Sequence, residues 1–248
     1  MARMRKEPNS APRHGVARVL SKRGVCSRTQ AAEWVRAGRV RVNGRPVRDP
    51  EFPVRASDRV EVDGQAVAAA ERIIVMLNKP RGLTTSTRDE QGRDTVYRCF
   101  DGAGLPWLAP VGRLDRASEG LLLFSNDPQW AARVLDPASG PDKTYHVRID
   151  RIPDAELLQR LVAGIDCDGE RLSAKSAGLL RHGSKHAWLE IVLDEGRNRQ
   201  IRRLLAACDI AVLRLVRVAV GGLGLGDLPK GAWRRLAEPE IALLGVPA

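Results

Sequence analysis

Cysteine is sparse and unpatterned in this chain. The four residues at 26, 99, 167 and 208 make no CxxC pair, and the four histidines at 14, 146, 182 and 186 make no HExxH pair. Neither a metal site nor a disulfide framework is expected. Long apolar runs are also missing: Ile73 to Leu77 and Leu121 to Phe124 are far too short to span a bilayer, and the basic start MARMRK continues into polar residues without an apolar core. A membrane protein is excluded on this pattern, and the cytoplasm is the expected location. Only ten of 248 residues are aromatic, which disfavours a single-strand binder that stacks many bases. There is no Walker A string, and no GxGxxG joins a strand to a helix, so no nucleotide or other cofactor is expected. The glycine-rich GGLGLG at 221 to 226 lies between strand-like runs and reads as a turn.

What the chain does have is positive charge. It carries 41 Lys plus Arg against 30 Asp plus Glu, net +11, with 43% hydrophobic residues, enough for an ordered core in one or two domains. The charge is unevenly placed: residues 1–60 hold 15 basic and 5 acidic side chains, net +10, while residues 61–248 are close to neutral at +1. Such a segment supplies sequence-independent affinity for a nucleic-acid backbone. Residues 1–15 lack periodicity and read as a flexible basic arm. After it, Ser27 and Gln30 form a capping box for a helix whose apolar face is Ala31, Ala32, Trp34 and Val35 and which Gly38 stops. Val40 and Val42 then alternate with Arg39 and Arg41, and Asn43-Gly44 is a two-residue hairpin signal. A short strand follows at Val60 to Val62. The string GVCSRTQAAEWVRAGRVRVNGRPV at 24–47 resembles the S4 RNA-binding domain, over roughly 16–62, and Arg28, Arg36, Arg39, Arg41 and Arg45 are its expected RNA contacts. Residues 63–72 read as a linker.

From Ile73 onward the runs IIVML, GLLLF, TYHVRI, AWLEIVL, AVLRLVRV and WRRL alternate with turns and a few helices. The expected class is α+β: a small S4-like domain followed by a larger domain, 73–248, on a mainly antiparallel sheet. The segment VGRLDRASEGLLLFSND at 111–127 places Asp115 just before a buried strand. An isolated Asp before Ser and Gly would simply cap a turn. The whole string, however, resembles the catalytic motif of the pseudouridine synthases in the RsuA/RluB/RluE/RluF family. LNKPRG at 77–82, KTYHVRI at 143–149 and EGRNRQIRRLLAACDI at 195–210 match further segments of that family in the same order. In a strand, Lys143, Tyr145, Val147 and Ile149 share one face, which puts Tyr145 on the core-directed side. In the last segment Ile201, Leu204, Leu205 and Cys208 form the buried stripe of a helix. On a helical wheel Arg199 and Arg203 lie nearly opposite that stripe, facing phosphates or solvent, while Arg202 lies about 110° from its centre and can reach into a pocket.

The resemblance implies conversion of a uridine in ribosomal RNA to pseudouridine by a cytoplasmic monomer. It implies a catalytic Asp115, acting either as nucleophile at ribose C1′ or as base toward the 2′ position. Arg202 would pair with that carboxylate, and Tyr145 would lie against the extruded base. Arg113, Leu114, Leu215, Arg199 and Arg203 would bind substrate. Lys79 either joins them or only shapes its loop. The Arg-rich 197–203 segment leans toward the large-subunit members, with a small-subunit synthase as the alternative. Two other classes compete: a non-catalytic S4-type assembly factor, for which the N-terminal segment would suffice, and an RNA methyltransferase, for which no S-adenosylmethionine site is visible. DNA binding through the basic face is opposed by the S4 resemblance.

Overall fold

The computed structural model describes residues 14–68, 71–87 and 91–246. Most of the expected basic arm lies outside the described residues. The chain divides into two compact units, one formed by the chain up to Arg72 together with Gly104–Ala109, the other by Ile73–Ala103 and the chain from Pro110 onward.

The first unit opens with β1 (His14–Gly15), α1 (Val16–Lys22) and α2 (Arg28–Arg36), followed by β2 (Val40–Val42), β3 (Arg45–Val47), β4 (Pro53–Val54), β5 (Val60–Val62) and β6 (Gln65–Ala66). His14 and Gly15, expected in the arm, pair instead with β4. The Ser27 hydroxyl accepts from the Gln30 amide at the start of α2, and Gly38, at φ +74°, follows its C-cap. Asn43 and Gly44 both have positive φ, as a type I′ hairpin requires, and join β2 to β3. Asp63 and Gly64 repeat that geometry and turn β5 into β6, so part of the segment read as a linker is the last strand of a sheet ordered β3-β2-β5-β6. Val16, Leu20, Ala31, Val35, Val40 and Val60 form its core.

The second unit contains β7 (Ile74–Lys79), a 3-10 turn (Val96–Phe100), β8 (Ala109–Val111), β9 (Glu119–Ser125), α3 (Pro128–Leu135), β10 (Lys143–Ile149), α4 (Ala155–Ala163), β11 (Ile165–Cys167), β12 (Glu170–Leu172), β13 (Ser176–His182), β14 (Ala187–Leu193), α5 (Gln200–Ala206), β15 (Val212–Val220), β16 (Leu223–Gly224), β17 (Trp233–Arg235) and α6 (Glu238–Ala242). Its sheet runs β13-β14-β10-β15-β9-β7-β17, with β16 beside β15 and β8 beside β9. Along that path β9 and β15 are parallel and every other pair is antiparallel. The expected α+β class and mainly antiparallel sheet therefore hold. The six apolar runs of the sequence are β7, β9, β10, β14, β15 and β17; of GGLGLG, expected as a turn, Gly221 and Gly222 make the β15–β16 turn and Leu223–Gly224 is β16 itself.

Two cores flank the sheet. Val147, Ile149, Leu189, Ile191, Leu204, Leu205 and Leu215 belong to one, and Met76, Leu121, Leu123, Trp130 and Ile241 to the other. The parallel junction brings β9 and β15 unusually close. A Cβ on Gly120, whose φ is +103°, would lie 2.2 Å from the Arg217 carbonyl oxygen. Only glycine fits there.

Candidate active site

The loop between β8 and β9 carries Arg113, Leu114 and Asp115, and its shape is fixed from below by Lys79 at the end of β7. Lys79 is completely buried, and its ammonium donates to the carbonyls of Ser118 at 2.9 Å, Asp115 at 3.1 Å and Pro80 at 3.2 Å. Burial pushes it down to about 8, against the opposing pull of Asp115 and Glu119. Of the two sequence expectations for Lys79, this position matches the shaping of the loop. Thr85 adds a second fastening: its hydroxyl donates to the Leu114 carbonyl at 2.8 Å and accepts from the Leu114 amide. A third comes from LNKPRG itself, where the Gly82 amide donates to the Arg116 carbonyl and the Arg116 Nε donates to the Gly82 carbonyl. The backbone around Asp115 is thus held while its carboxylate, one third exposed, is left with no hydrogen-bond donor among the described residues.

That carboxylate borders a cavity of about 160 Å³ whose lining includes Arg113, Leu114, Tyr145, Leu215 and Arg199. β10 and β15 supply its floor through two cross-strand pairs on one face, Tyr145 with Arg217 and Val147 with Leu215. A bulge on β15 at Val218 sits beside this floor. Tyr145 is half-buried and packs against the neighbouring core, leaving part of its ring on the cavity. Lys143, two residues earlier, shares its face as the alternation predicts. Burial first, and then the nearby Arg217, lower the Lys143 ammonium.

Arg217 and Lys143 are site residues that the sequence reading passed over. Alternation carried the signal for both: Arg217 is two residues beyond Leu215, and Lys143 two before Tyr145. Arg217 is nearly buried, and its Nε donates to the Leu121 carbonyl at 2.7 Å.

The three arginines around α5 are arranged differently from the helical wheel. Arg199 precedes the helix in a left-handed conformation, φ 49° and ψ 31°, so wheel angles do not apply to it. Its guanidinium turns inward and lies 3.7 Å from the Asp115 carboxylate, within ion-pair distance but beyond a hydrogen bond. Arg202, expected as that partner, donates instead to the Ala117 carbonyl at 3.2 Å, gripping the Asp115 loop by its backbone. Its Nε is buried without a partner, and burial, followed by Arg199, lowers its guanidinium. Arg203 is outside the cavity lining and only partly exposed: it donates to Glu170 at 2.6 Å and to the Cys167 carbonyl at 2.7 Å, anchoring the β11–β12 hairpin. Glu170 also binds Arg197, and the two guanidiniums hold its carboxyl below the usual range.

A further buried charge fixes the start of β9. Glu119 accepts both nitrogens of Arg214 at 2.9 and 3.0 Å and pairs with Lys230 at 2.6 Å. Burial alone would raise its carboxyl, but these hydrogen bonds hold it below the ordinary range.

In the first unit, the five expected RNA-contact arginines are all exposed. Arg28 is paired with Glu51 and Arg39 with Asp63, while Arg36, Arg41 and Arg45 have no ion pair among the described residues.

A carboxylate on a clamped loop, an apolar floor with a tyrosine, and a rim of arginine and lysine form a site for a flat ligand attached to an anionic chain. Comparison with known proteins agrees with it. Residues 73–207 match the RNA pseudouridylate synthase family and residues 16–60 the S4 domain. The chain is 35% identical to ribosomal large subunit pseudouridine synthase B of Bacillus subtilis, covering 92% of this chain and 93% of that one. It is 36% identical to an uncharacterized RNA pseudouridine synthase of Aquifex aeolicus, covering 92% of both chains. The crystal structure of a pseudouridylate synthase superposes with a TM-score of 0.65 at 28% identity, covering 93% of this chain and 99% of that one. No helix among the described residues is long and apolar enough to cross a membrane. With the synthase model matching more than half its length and an S4 domain ahead of it, the chain belongs to the RNA pseudouridylate synthase family.

Proposed function

We propose that this pseudouridine synthase isomerises a uridine of large-subunit ribosomal RNA, working as a cytoplasmic monomer, with Asp115 as the catalytic carboxylate. The observation that carries the reading is the Asp115 loop. Its backbone is tied down by Lys79, Thr85 and Arg202, while its carboxylate faces the cavity with no hydrogen-bond donor among the described residues. The large-subunit assignment is supported by the similarity to the Bacillus enzyme along almost the whole chain.

In the reaction the bond from ribose C1′ to N1 breaks, uracil rotates, C1′ joins C5, and the C5 proton leaves while N1 gains one. No atom is taken from another molecule. The carboxylate of Asp115 attacks C1′ or removes a proton at C2′. Arg199 supplies the opposite charge beside it, 3.7 Å away. Tyr145 and Leu215 give the extruded base a flat, largely apolar seat. Arg113 and Arg199 would hold the flanking phosphates, with Leu114 at the wall and the buried Arg217 adding positive charge beneath the floor. Arg202 and Lys79 act as positioning residues through the loop backbone, and Arg203 through the hairpin next to it.

The test is site mapping. Ribosomal RNA incubated with the protein, treated with a carbodiimide that marks pseudouridine and read by primer extension, is expected to stop at a discrete large-subunit position with wild type and not with Asp115→Asn. Stops confined to small-subunit RNA would overturn the subunit assignment, and stops retained by Asp115→Asn would overturn the role of the carboxylate.

A further inference from the structure

The face of the main sheet turned away from the cavity carries a row of side chains that the reaction does not use. Arg181 of β13 is registered with Trp188 of β14, Trp188 with Arg148 of β10, and Arg148 with Arg214 of β15. These positions alternate with Ala187, Leu189, Val147, Ile149 and Leu215, which face the core, so the row lies on the opposite face. A bulge at Leu180 builds its outer end: Leu179 pairs with Leu189 and Arg181 with Trp188, leaving Leu180 unmatched. In an unbroken ladder Leu180 would sit beside Trp188 and Arg181 would point to the other side.

The guanidiniums of Arg181 and Arg214 lie 5.0 and 5.8 Å from the Trp188 ring centroid. Three arginines across adjacent strands repel one another. Glu119 balances only Arg214, and Glu190, on the same face, lies 3.5 Å from His146. Arg148, Arg181 and Lys185 of the β13–β14 turn are exposed and have no carboxylate at ion-pair distance among the described residues. With the turn they border a concavity of about 350 Å³. Stacking on an indole holds a guanidinium extended with its N–H groups outward, the geometry that takes a phosphate on two donors.

We propose that this row is a second RNA-contact surface, taking backbone phosphates of the folded RNA on Arg148, Arg181 and Lys185, with Trp188 as the platform of Arg181. The proposal rests on the uridine-modifying reading only for the identity of the anionic partner. Contacts of this kind position a nucleic acid without reading its bases.

The test uses the full chain with Arg148→Gln, Arg181→Gln and Lys185→Gln combined, binding transcribed large-subunit rRNA across a potassium chloride series. Three lost phosphate contacts are expected to reduce the slope of log affinity against log salt by about 2 to 3 and to weaken binding roughly 50-fold or more near 0.15 M salt. Turnover at saturating RNA is expected to stay at the wild-type value. Lys185→Gln alone, on the exposed turn where folding is not at stake, is expected to reduce the slope by about 0.7 to 0.9. Unchanged affinity and slope in both variants would overturn the proposal, including in favour of a protein partner for this face. If wild type binds rRNA with a slope that depends on these residues yet forms no pseudouridine, the surface stands and the proposed reaction falls.

Discussion

Lys79 and Asp115 divide one task between them. The ammonium spends its three donors on backbone carbonyls, so the carboxylate it shapes remains available to a ligand. Lys79→Met is therefore expected to lower kcat about 100-fold while leaving RNA affinity near wild type, read by single-turnover kinetics beside equilibrium binding. The same residue gives a pH signature. Its folded value, about 8, is below the ordinary lysine value of 10.5, so in that window the unfolded chain binds more protons than the folded one. Stability then rises with pH from about 8 toward 10.5, by up to about 3 kcal/mol relative to Lys79→Met, a difference that urea unfolding at the two ends measures. Arg199→Gln removes the charge nearest Asp115 and is expected to cost roughly 10- to 100-fold in kcat/KM. That Asp115 and Tyr145 border one cavity follows the sequence expectation, because each sits in a short string with few alternatives. Arg199 was not legible in the sequence, because a single positive φ before the helix turns inward a side chain that helical spacing points outward.

The elements themselves were easier to read than their joints. Short apolar runs located β7, β9, β10, β14 and β15, and the Ile201, Leu204 and Leu205 stripe located α5, all three side chains being buried. Missing were β6, although Asp63-Gly64 is the same kind of hairpin signal as Asn43-Gly44, and the β11–β13 region, whose short polar strands carry little periodicity. The parallel contact of β9 with β15 joins segments about a hundred residues apart, and local patterns do not encode such pairings. Gly120 marks that joint. Gly120→Ala would drive a methyl into the Arg217 carbonyl at a positive φ, and it is expected to destabilise the protein by about 3 kcal/mol or more, seen as a lowered urea midpoint or loss of soluble protein. A milder break is available at α3, where Asp127 accepts from the Gln129 and Trp130 amides. Asp127→Ala is expected to cost about 1 kcal/mol.

Across the whole molecule, the net charge of +11 resolves into several local arrangements. Sequence counting put nearly all of it in the first 60 residues. Of the five expected contacts, Arg28 and Arg39 are already paired, while Arg36, Arg41 and Arg45 have no ion pair among the described residues. Replacing those three with Gln is expected to reduce the salt slope of rRNA binding by about 2 to 3, and replacing Arg28 and Arg39 to do less. The second unit, net only +3, concentrates Arg113, Lys143, Arg199 and Arg217 around Asp115. If this carboxylate drives the isomerisation, release of the C5 hydrogen depends on it. With ribosomal RNA carrying tritium at uridine C5, wild type is predicted to release tritium into water and Asp115→Asn to release none above background while binding the RNA equally well. Equal release from both proteins, or none from either on any ribosomal RNA, would contradict the account.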